Sequence, residues 1–179
     1  MANFSHLTTN TNPRAIRGGY KDVFYFCPLA DFTSIAKPTG TPTALGDLVL
    51  ISSAHTFTGT KGWFSWETKQ RSATIKGQST GDDGAKLMDY TGEITILGDS
   101  ASTQEQLERL LNTKGIVLLK DANCLVDDVY AQLGDECDPP IFTVEFDGKT
   151  TADGLKEYKV SFKAISKYRY EGVVTKSTA

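Results

Sequence analysis

Two alternating apolar segments in the last third of the sequence constrain the fold most strongly. The apolar positions are Phe142, Val144 and Phe146 in the first segment and Tyr158, Val160 and Phe162 in the second. Strict alternation is typical of a half-buried β-strand, because successive side chains point to opposite faces of a sheet. Pairing Phe146 with Tyr158 puts these side chains on one dry face and sets Glu145 opposite Lys159 on the wet face. A slip of one residue would turn the aromatic rings to water, so the sequence predicts an antiparallel hairpin with one register.

Most of the remaining chain has the composition of short β-strands. Residues 90–97 alternate polar and apolar side chains, and the tight-turn residues 81–84 separate them from a further strand at 73–77. Runs of β-branched and aromatic residues predict other strands at 22–27, 47–52, 63–70 and 168–174. The sequence therefore predicts a mainly β fold, either a β-sandwich or a small barrel.

One segment interrupts this pattern with the signature of a helix. Ser102 followed by Glu105 predicts a capping box, in which each side chain accepts a hydrogen bond from a free backbone N–H of the first turn. An apolar stripe follows at spacings of three and four residues, formed by Leu107, Leu110 and Leu111. We expect one α-helix at about residues 103–113, ending near Gly115 and lying with its stripe against the sheet. A buried strand at 116–119 follows it.

The rest of the pattern indicates one domain with extended appendages. A β-rich domain at 21–175 is expected between a polar arm at 1–20 and a short tail at 176–179. The arm is either a frayed terminus or a segment that docks on a neighbour. A long loop at 28–46 holds three prolines and two glycines. It also holds apolar residues that need cover, namely Leu29, Phe32, Ile35 and Leu45.

Charge and hydropathy exclude two classes of partner. The net charge is −3 and the pI about 5.4, which argues against a surface that holds nucleic acid by releasing counterions. The sequence starts without the basic and apolar segments of a secretory signal, and no apolar stretch approaches the ~20 residues of a membrane span. We expect a protein that folds in the cytoplasm and does not associate with a membrane.

The cysteines do not indicate a metal site. Cys27, Cys124 and Cys137 show no CxxC spacing, and only two histidines, His6 and His55, could join them. A Cys124–Cys137 bridge across a loop is left open, although an odd number of cysteines favours free thiols. We expect neither a metal nor a cofactor.

Residues that could carry catalysis are scarce. The sequence has no nucleophile elbow, phosphate-binding loop or HExxH motif. His55 follows Ser52 and Ser53, but a nucleophile and a base so close on one strand point badly at each other. Asp82 and Asp83 lie between two glycines, which is typical of a solvated turn. We therefore expect no enzyme.

Two further groups have ordinary structural interpretations. Glu136 and Asp138 flank Cys137, but Pro139 and Pro140 follow directly, so a loop leading into the hairpin explains them. Separately, two tryptophans lie three residues apart on a predicted strand and therefore face opposite sides. One of these two, Trp63 or Trp66, could be exposed and stack on a ligand, although a half-buried tryptophan is the commoner case.

The order of elements resembles that of phage tail tube proteins, also called major tail proteins. The resemblance covers roughly residues 60–175 and depends mostly on the helix at 102–111, the strand and turn at 114–123, the segment 132–140 and the closing hairpin at 140–162. It implies a β-sandwich or small barrel flanked by one helix. It also implies homo-oligomeric rings, usually hexamers, which stack into a tube that guides DNA from the virion into the host. Such a protein has no catalytic residues.

The resemblance implies further partners and contacts. Other tail proteins, such as the terminator and the baseplate or tip, would bind the tube, and DNA would pass through it without specific binding. The arm and the long loop would contact neighbouring subunits. Their apolar residues are Phe4, Leu7, Leu29, Phe32, Ile35 and Leu45. The lumen of an acidic tube would repel phosphate, and our hypothesis is that it is lined by some of Glu67, Glu93, Glu145 and Asp147. The alternative places these carboxylates on the outer surface.

Two other functional classes fit the same pattern. One is another virion component, such as a capsid decoration protein or a head–tail connector. The other is a glycan-binding β-sandwich module that uses Trp63 or Trp66. Stacked rings distinguish a tube subunit from the first, and a monomer that binds glycans would indicate the second.

Overall fold

The computed structural model describes residues 19–122 and 128–178 of the chain. It contains twelve strands and one α-helix, with a single turn of 3-10 helix at Leu29–Asp31. In chain order the elements are β1 (Tyr20–Pro28), β2 (Phe32–Ser34), β3 (Leu50–Ile51), β4 (Thr56–Phe57), β5 (Phe64–Glu67), β6 (Thr74–Thr80), β7 (Leu87–Leu97), α1 (Ala101–Leu111), β8 (Gly115–Asp121), β9 (Tyr130–Leu133), β10 (Ile141–Asp147), β11 (Glu157–Ala164) and β12 (Lys167–Tyr170). The predicted mainly β fold with one helix is confirmed.

The strands form two large sheets and one small one. The six-stranded sheet has the order β3-β12-β9-β8-β1-β5, the four-stranded sheet has the order β10-β11-β7-β6, and β2 pairs with β4 alone. All neighbours are antiparallel except β12 and β3. Neither large sheet closes into a barrel within the described ranges, so the sandwich and not the barrel is the observed form.

The main core lies between the two large sheets. Phe24 of β1 and Val117 of β8 face Val160 and Phe162 of β11 across it, and each of these side chains is at most 1 % exposed. The Phe24 and Phe162 rings have centroids 5.6 Å apart. The helix contributes Leu107 and Leu110 to the same cluster, and the other members come from β1, β7, β8, β9, β10, β11 and residue 73.

A second core covers the opposite face of the six-stranded sheet. Alternate residues of β8, Ile116 and Leu118, pack with Trp63 and Tyr170 in this cluster. Phe32 of β2 and other partly buried residues from β4, the following loop and the end of the chain cover it. β8 is therefore buried on both faces, which explains why its sequence is an unbroken apolar run and does not alternate.

The closing hairpin has the predicted register. Phe146 lies opposite Tyr158, Val144 opposite Val160, and Glu145 opposite Lys159. The neighbouring strand β7 places Gly92 opposite Phe162, and a Cβ built on this glycine would lie 1.9 Å from the ring of Phe162. Gly92 is therefore required for the ring to lie across β7.

The helix differs from the prediction at both ends. It spans Ala101–Leu111, and its N-cap is Ser100, whose Oγ accepts a hydrogen bond from the Thr103 N–H at 3.1 Å. The predicted capping box of Ser102 and Glu105 is wrong, because the helix starts before Ser102. Glu105 instead pairs with Arg109 one turn later, at 2.5 Å.

The helix ends earlier than expected because the chain must enter the sheet. The C-cap is Asn112, and the predicted C-terminal Gly115 is the first residue of β8. A side chain at Gly115 would collide with the Phe26 ring, to which its Cβ would be 2.3 Å away. Of the predicted stripe, Leu107 and Leu110 are buried but Leu111, the last helical residue, is 43 % exposed.

The predicted strand at 47–52 is also wrong in extent. Only Leu50–Ile51 forms a strand, because the Asp47 carboxylate accepts hydrogen bonds from the Thr43 and Ala44 N–H groups, both at 2.8 Å, and holds a turn. Leu48 and Val49 are consequently exposed. The terminal strand is shorter than predicted and ends at Tyr170. The loop at 28–46 contains the 3-10 turn and β2, which pairs with β4.

Truncating one leucine on each side of the helix will distinguish its buried side from its exposed side. Leu107→Ala removes a side chain that is 2 % exposed in the main core, and we expect it to lower the free energy of unfolding by about 2–5 kcal/mol. The matched Leu111→Ala change removes a side chain that is 43 % exposed and should cost less than about 1 kcal/mol. Urea denaturation followed by circular dichroism measures both values. Equal losses would contradict this placement of the helix.

Candidate assembly surface

The four-stranded sheet has a free strand at each edge. β10 and β6 end it on opposite sides, and each is seven residues long. A free edge presents a row of unpaired backbone N–H and C=O groups that can pair with another strand. Monomeric proteins usually keep free edge strands short or cover them. Two free edges of seven residues each are therefore unusual for a monomer.

The wet face of this sheet carries a ladder of ion pairs. Glu93 on β7 lies 3.2 Å from the Lys159 ammonium on β11, and Asp89 on β7 lies 2.8 Å from that of Lys163. Asp147 at the end of β10 pairs with Lys149 at 2.5 Å, and this hydrogen bond holds the pKa of Asp147 below its ordinary value. The face is therefore mixed in charge and not acidic, because its lysines neutralise most of its carboxylates.

Two charges on this face make no ion pair with another described residue. They are Glu145 on β10 and Lys76 on β6. The register places Glu145 opposite Lys159, but the Lys159 ammonium bonds Glu93 instead. One unpaired anion thus lies on one free edge and one unpaired cation on the other.

The structure groups three of the four predicted lumen carboxylates. Glu93, Glu145 and Asp147 share the wet face of the four-stranded sheet. Glu67 does not, because it lies on β5 at the edge of the six-stranded sheet.

The predicted contact residues are divided among several environments. Leu29, Phe32 and Ile35 are partly buried against the second core of their own chain. Leu45 is 70 % exposed. Phe4 and Leu7 lie outside the described residues. The exposed Leu45 is followed by exposed Leu48, so the loop keeps one apolar surface near the sheet edge β3.

The β6–β7 hairpin extends past the end of β11, where Ala164 pairs with Tyr90, as a two-stranded ribbon (residues 78–88, the β6–β7 ribbon). All of these residues are exposed, including Leu87 and Met88, which are 63 % and 43 % exposed. A two-stranded ribbon is only marginally stable alone in water.

His55 does not pair with Ser52 or Ser53, in agreement with the sequence argument, and belongs instead to a buried cluster. His55 is 3 % exposed, and its Nδ1 accepts a hydrogen bond from the Ala36 N–H at 2.9 Å. Its Nε2 donates to Gln132 Oε1, also at 2.9 Å, because Nδ1 is already the acceptor. The ring stacks on Tyr170 with centroids 4.7 Å apart. Both nitrogens are occupied, so His55 cannot serve as a base for Ser52 or Ser53, which are exposed.

This cluster attaches the covering layer to the six-stranded sheet. The Ala36 backbone belongs to the loop after β2, whereas Gln132 lies on β9 and its amide nitrogen donates to the Gly134 carbonyl at 3.1 Å. Burial lowers the pKa of His55, so the neutral ring that these contacts need is the favoured form. Sequence reasoning missed this role because the partners are distant in the chain.

The predicted acidic groups have structural roles. Asp83 pairs with Lys86 at 2.6 Å within the exposed turn. Asp138 accepts hydrogen bonds from the Ile165 and Ser166 N–H groups at 2.7 and 3.1 Å, and Glu136 pairs with Lys37. In residues 19–122 and 128–178, no group of three or more His, Cys, Asp or Glu side chains is placed to hold a metal ion.

The cysteine and tryptophan side chains also occupy unremarkable positions. Cys27 and Cys137 are free thiols, and burial raises the pKa of Cys27 to about 12. Cys124 lies outside the described residues. Trp63 is 1 % exposed and cannot stack on a ligand. Trp66 faces the opposite side, as predicted, and is half-buried against Phe24.

Comparisons with known proteins give no assignment. No family model matches the chain, and no curated protein or solved structure matches it either. Within the part of the chain that the structure describes, no helix has the length and hydropathy needed to cross a membrane.

Lowering the pH should destabilise the protein through the buried cluster of His55. The folded pKa of His55 is lowered, so its contribution to stability is full above the unfolded value of about 6.5 and is lost as the pH falls towards the folded value. We expect the free energy of unfolding to fall between pH 7 and pH 5 by up to about 1.4 kcal/mol per pH unit, the limit for one proton. Urea titrations at a series of pH values measure this slope.

The other histidine provides the control. His6→Gln should leave the slope unchanged, whereas His55→Gln should destabilise the protein at pH 7 and flatten the slope. A slope that survives in His55→Gln would mean that another group titrates in this window.

Proposed function

We propose that this chain is a structural virion protein, a subunit that assembles into rings stacked as a phage tail tube, through which DNA passes into the host. The observation that carries the proposal is the pair of long free edges, β10 and β6, at opposite sides of one sheet. Pairing β10 of one copy with β6 of the next is a head-to-tail contact, and such a contact generates a ring if the rotation closes. Closure leaves the four-stranded sheet without a free edge.

The strand count favours this joint. Because four antiparallel strands form the sheet, its two edge strands run in opposite directions. When copies are related by rotation about a ring axis, β10 of one copy therefore meets β6 of the next in antiparallel orientation. The antiparallel order of the strands then continues without interruption from one copy's four-stranded sheet to the next around the ring.

One register of this joint gives exposed side chains on both faces of the sheet a matching partner. If the two seven-residue strands overlap fully, Ile141 lies opposite Thr80 and Asp147 lies opposite Thr74. This register also places Glu145 opposite Lys76 on the wet face. On the dry face it places Phe146, which is 51 % exposed, opposite the partly buried Ile75.

The same register has the stagger that a tilted barrel needs. Within one copy, the row of directly opposed residues across the sheet runs from Ile141 through Lys163 and Thr91 to Lys76. In the proposed joint, Lys76 lies opposite Glu145 of the next copy and not opposite its Ile141. Each joint therefore shifts the row by about four residues along the strands. A barrel with strands tilted by about 36° has a shear close to its strand number, or about one residue per strand. Four strands per copy therefore require a displacement of about four residues at each joint.

The resulting barrel would be wide enough for an aqueous channel. Six copies of the four-stranded sheet would give about 24 strands, more than the roughly 16–18 strands at which a barrel encloses open water. The wet face would line the channel, since the dry face packs on the six-stranded sheet. Its paired lysines and carboxylates offer few free cations to phosphate, so DNA would slide and not bind. The end of the β6–β7 ribbon beyond the joint, at residues 81–88, and the exposed Leu45 and Leu48 would contact the adjacent ring.

The proposal includes the virion as the location and other tail proteins as partners at the ends of the tube. A capsid decoration protein or a head–tail connector would also assemble through exposed edges, but would stop at one closed oligomer. A glycan-binding module would stay monomeric. Negative-stain electron microscopy of the purified chain distinguishes these outcomes: we expect tubes of uniform diameter, and a strict monomer at high concentration would refute the proposal.

A charge swap tests the joint itself. Glu145→Lys or Lys76→Glu places like charges opposite each other at every joint, and cross-strand pairs of this kind change stability by about 0.2–1 kcal/mol each. We expect each single variant to raise the critical concentration for assembly several-fold, measured by sedimentation. The double variant Glu145→Lys, Lys76→Glu restores opposite charges and should recover assembly.

The double variant is the matched control, because it carries both substitutions. Additive loss in the double variant would show that the two side chains do not meet. Thermal unfolding of the dilute variants should stay close to that of the parent, since both positions are on the surface.

A further inference from the structure

The last described residues of the chain cover one end of the β5 edge. Residues 175–178, here called the strap, lie beside the start of β5, and Lys176 forms a parallel bridge with Trp63. The Trp63 N–H donates to the Thr175 carbonyl at 2.9 Å, and the Ser177 N–H donates to the Trp63 carbonyl at 3.1 Å. Both outward backbone groups of Trp63 are therefore occupied by the strap.

The strap is also held at its end, and it passes close to a glycine. The N–H and the Oγ1 of Thr178 donate to the Thr60 carbonyl at 3.3 and 3.4 Å. A Cβ built on the buried Gly62 would lie 2.6 Å from the Thr175 carbonyl oxygen and 2.8 Å from the Ser177 nitrogen. The strap can follow this path only because residue 62 has no side chain.

The rest of the β5 edge has no strand beside it, because β5 ends the six-stranded sheet. The Thr68 N–H donates to the Asp22 carbonyl at 3.0 Å, and antiparallel pairs alternate, so the backbone groups of Ser65 and Glu67 point away from β1. Both residues line a groove between β5 and α1. Three residues thus share one outward edge, Trp63, Ser65 and Glu67, and the strap covers the first of them.

We propose that the strap blocks a latent pairing edge, at which β5 would otherwise pair with β5 of a second copy. An edge that pairs with its own copy does so about a two-fold axis. A centred pairing then places Ser65 opposite Ser65 of the second copy, and Trp63 of each copy opposite Glu67 of the other. These pairs are of the hydrogen-bonded kind, with two bonds each, or about six bonds in all. The strap takes the groups of Trp63 and leaves only the two bonds of the central pair.

This difference would decide which edges of the molecule are used. β10 and β6 each offer seven residues, whereas the strap leaves β5 with two outward residues, and shortening a free edge is one way in which proteins prevent unwanted pairing. A β5–β5 contact is isologous and stops at a dimer, so it would compete with a head-to-tail joint. By closing this edge, the strap would direct assembly to β10 and β6.

An alanine at position 62 tests the proposal in the full-length chain. Gly62→Ala puts a methyl group against the strap backbone, and the φ angle of this glycine is one that alanine can adopt. We expect the Trp63 amide to exchange at least about tenfold faster, because its bond to Thr175 is lost. The control Gly40→Ala adds the same methyl group where no atom lies within 4 Å and should change nothing. Amides of β8 should exchange alike in all proteins, which checks that the fold is intact.

Cross-linking then detects the pairing itself. With Cys124 and Cys137 replaced by serine and Cys27 fully buried, Ser65→Cys puts one accessible thiol at the centre of the expected pair. A short bis-maleimide reagent is added at concentrations below those at which tubes form. The Gly62→Ala protein should give at least about tenfold more covalent dimer than the control, because about four further backbone hydrogen bonds can form.

Three results would overturn the proposal. Faster exchange at Trp63 without dimers would show that β5 is not a pairing edge. Equal amounts of dimer in the alanine variant and the control would show that the strap does not block it. Unchanged exchange at Trp63 would show that the strap is not held over Gly62.

A second variant keeps the test decisive if Gly62→Ala does not fold. Thr178→Pro removes both bonds to the Thr60 carbonyl, because proline has neither the N–H nor the hydroxyl. It should change both readouts in the same direction by a smaller factor. Neither readout requires tubes, so failure of head-to-tail assembly leaves them interpretable.

Discussion

The structure depends on the burial of β1 and β8 on both faces. These neighbouring strands send alternate side chains into two cores, Phe24 and Val117 into one and Ile116 and Leu118 into the other. Each of the two cores must therefore be covered by a separate layer of the chain. The four-stranded sheet and the helix cover the first, while β2, β4 and the loop attached through His55 cover the second. The outer face of the four-stranded sheet is left wet, with free edges on both sides.

Local patterns predicted much of this arrangement, and non-local contacts account for the errors. The hairpin register was predictable because alternation and burial leave one solution. The helix was predictable as an element, but its cap was not, since Ser100 and Ser102 are both residue types that cap helices and the hydroxyl of Ser100 makes the capping bond. The prediction of a strand at 47–52 failed because the Asp47 carboxylate stabilises a turn, which apolar composition does not reveal. His55 joins segments almost a hundred residues apart, for which no local signal exists.

The candidate assembly surface was predictable only in part. Alternation predicted a wet face bearing Glu93 and Glu145, and net charge suggested that it is acidic. The lysines on the facing strand pair with those carboxylates, so the surface is balanced, and only Glu145 and Lys76 remain without an ion pair among the described residues. Their positions on opposite free edges follow from strand order, which the sequence pattern alone does not determine. The proposed joint connects one energetic requirement, covering free edges, with one geometric requirement, an even number of antiparallel strands.

Selective cross-linking of two variants, each with one engineered surface cysteine beside the fully buried Cys27, tests the head-to-tail joint most directly. In a background with Cys124→Ser and Cys137→Ser, Thr143→Cys on β10 and Gln78→Cys on β6 would lie opposite each other in the proposed register. A short bis-maleimide reagent should join the two variants when they are mixed and should leave each variant alone uncross-linked. A chain that carries both cysteines should form a ladder of covalent oligomers. Efficient dimers of Thr143→Cys alone would contradict the account, because they require β10 to pair with β10 and cannot build a ring.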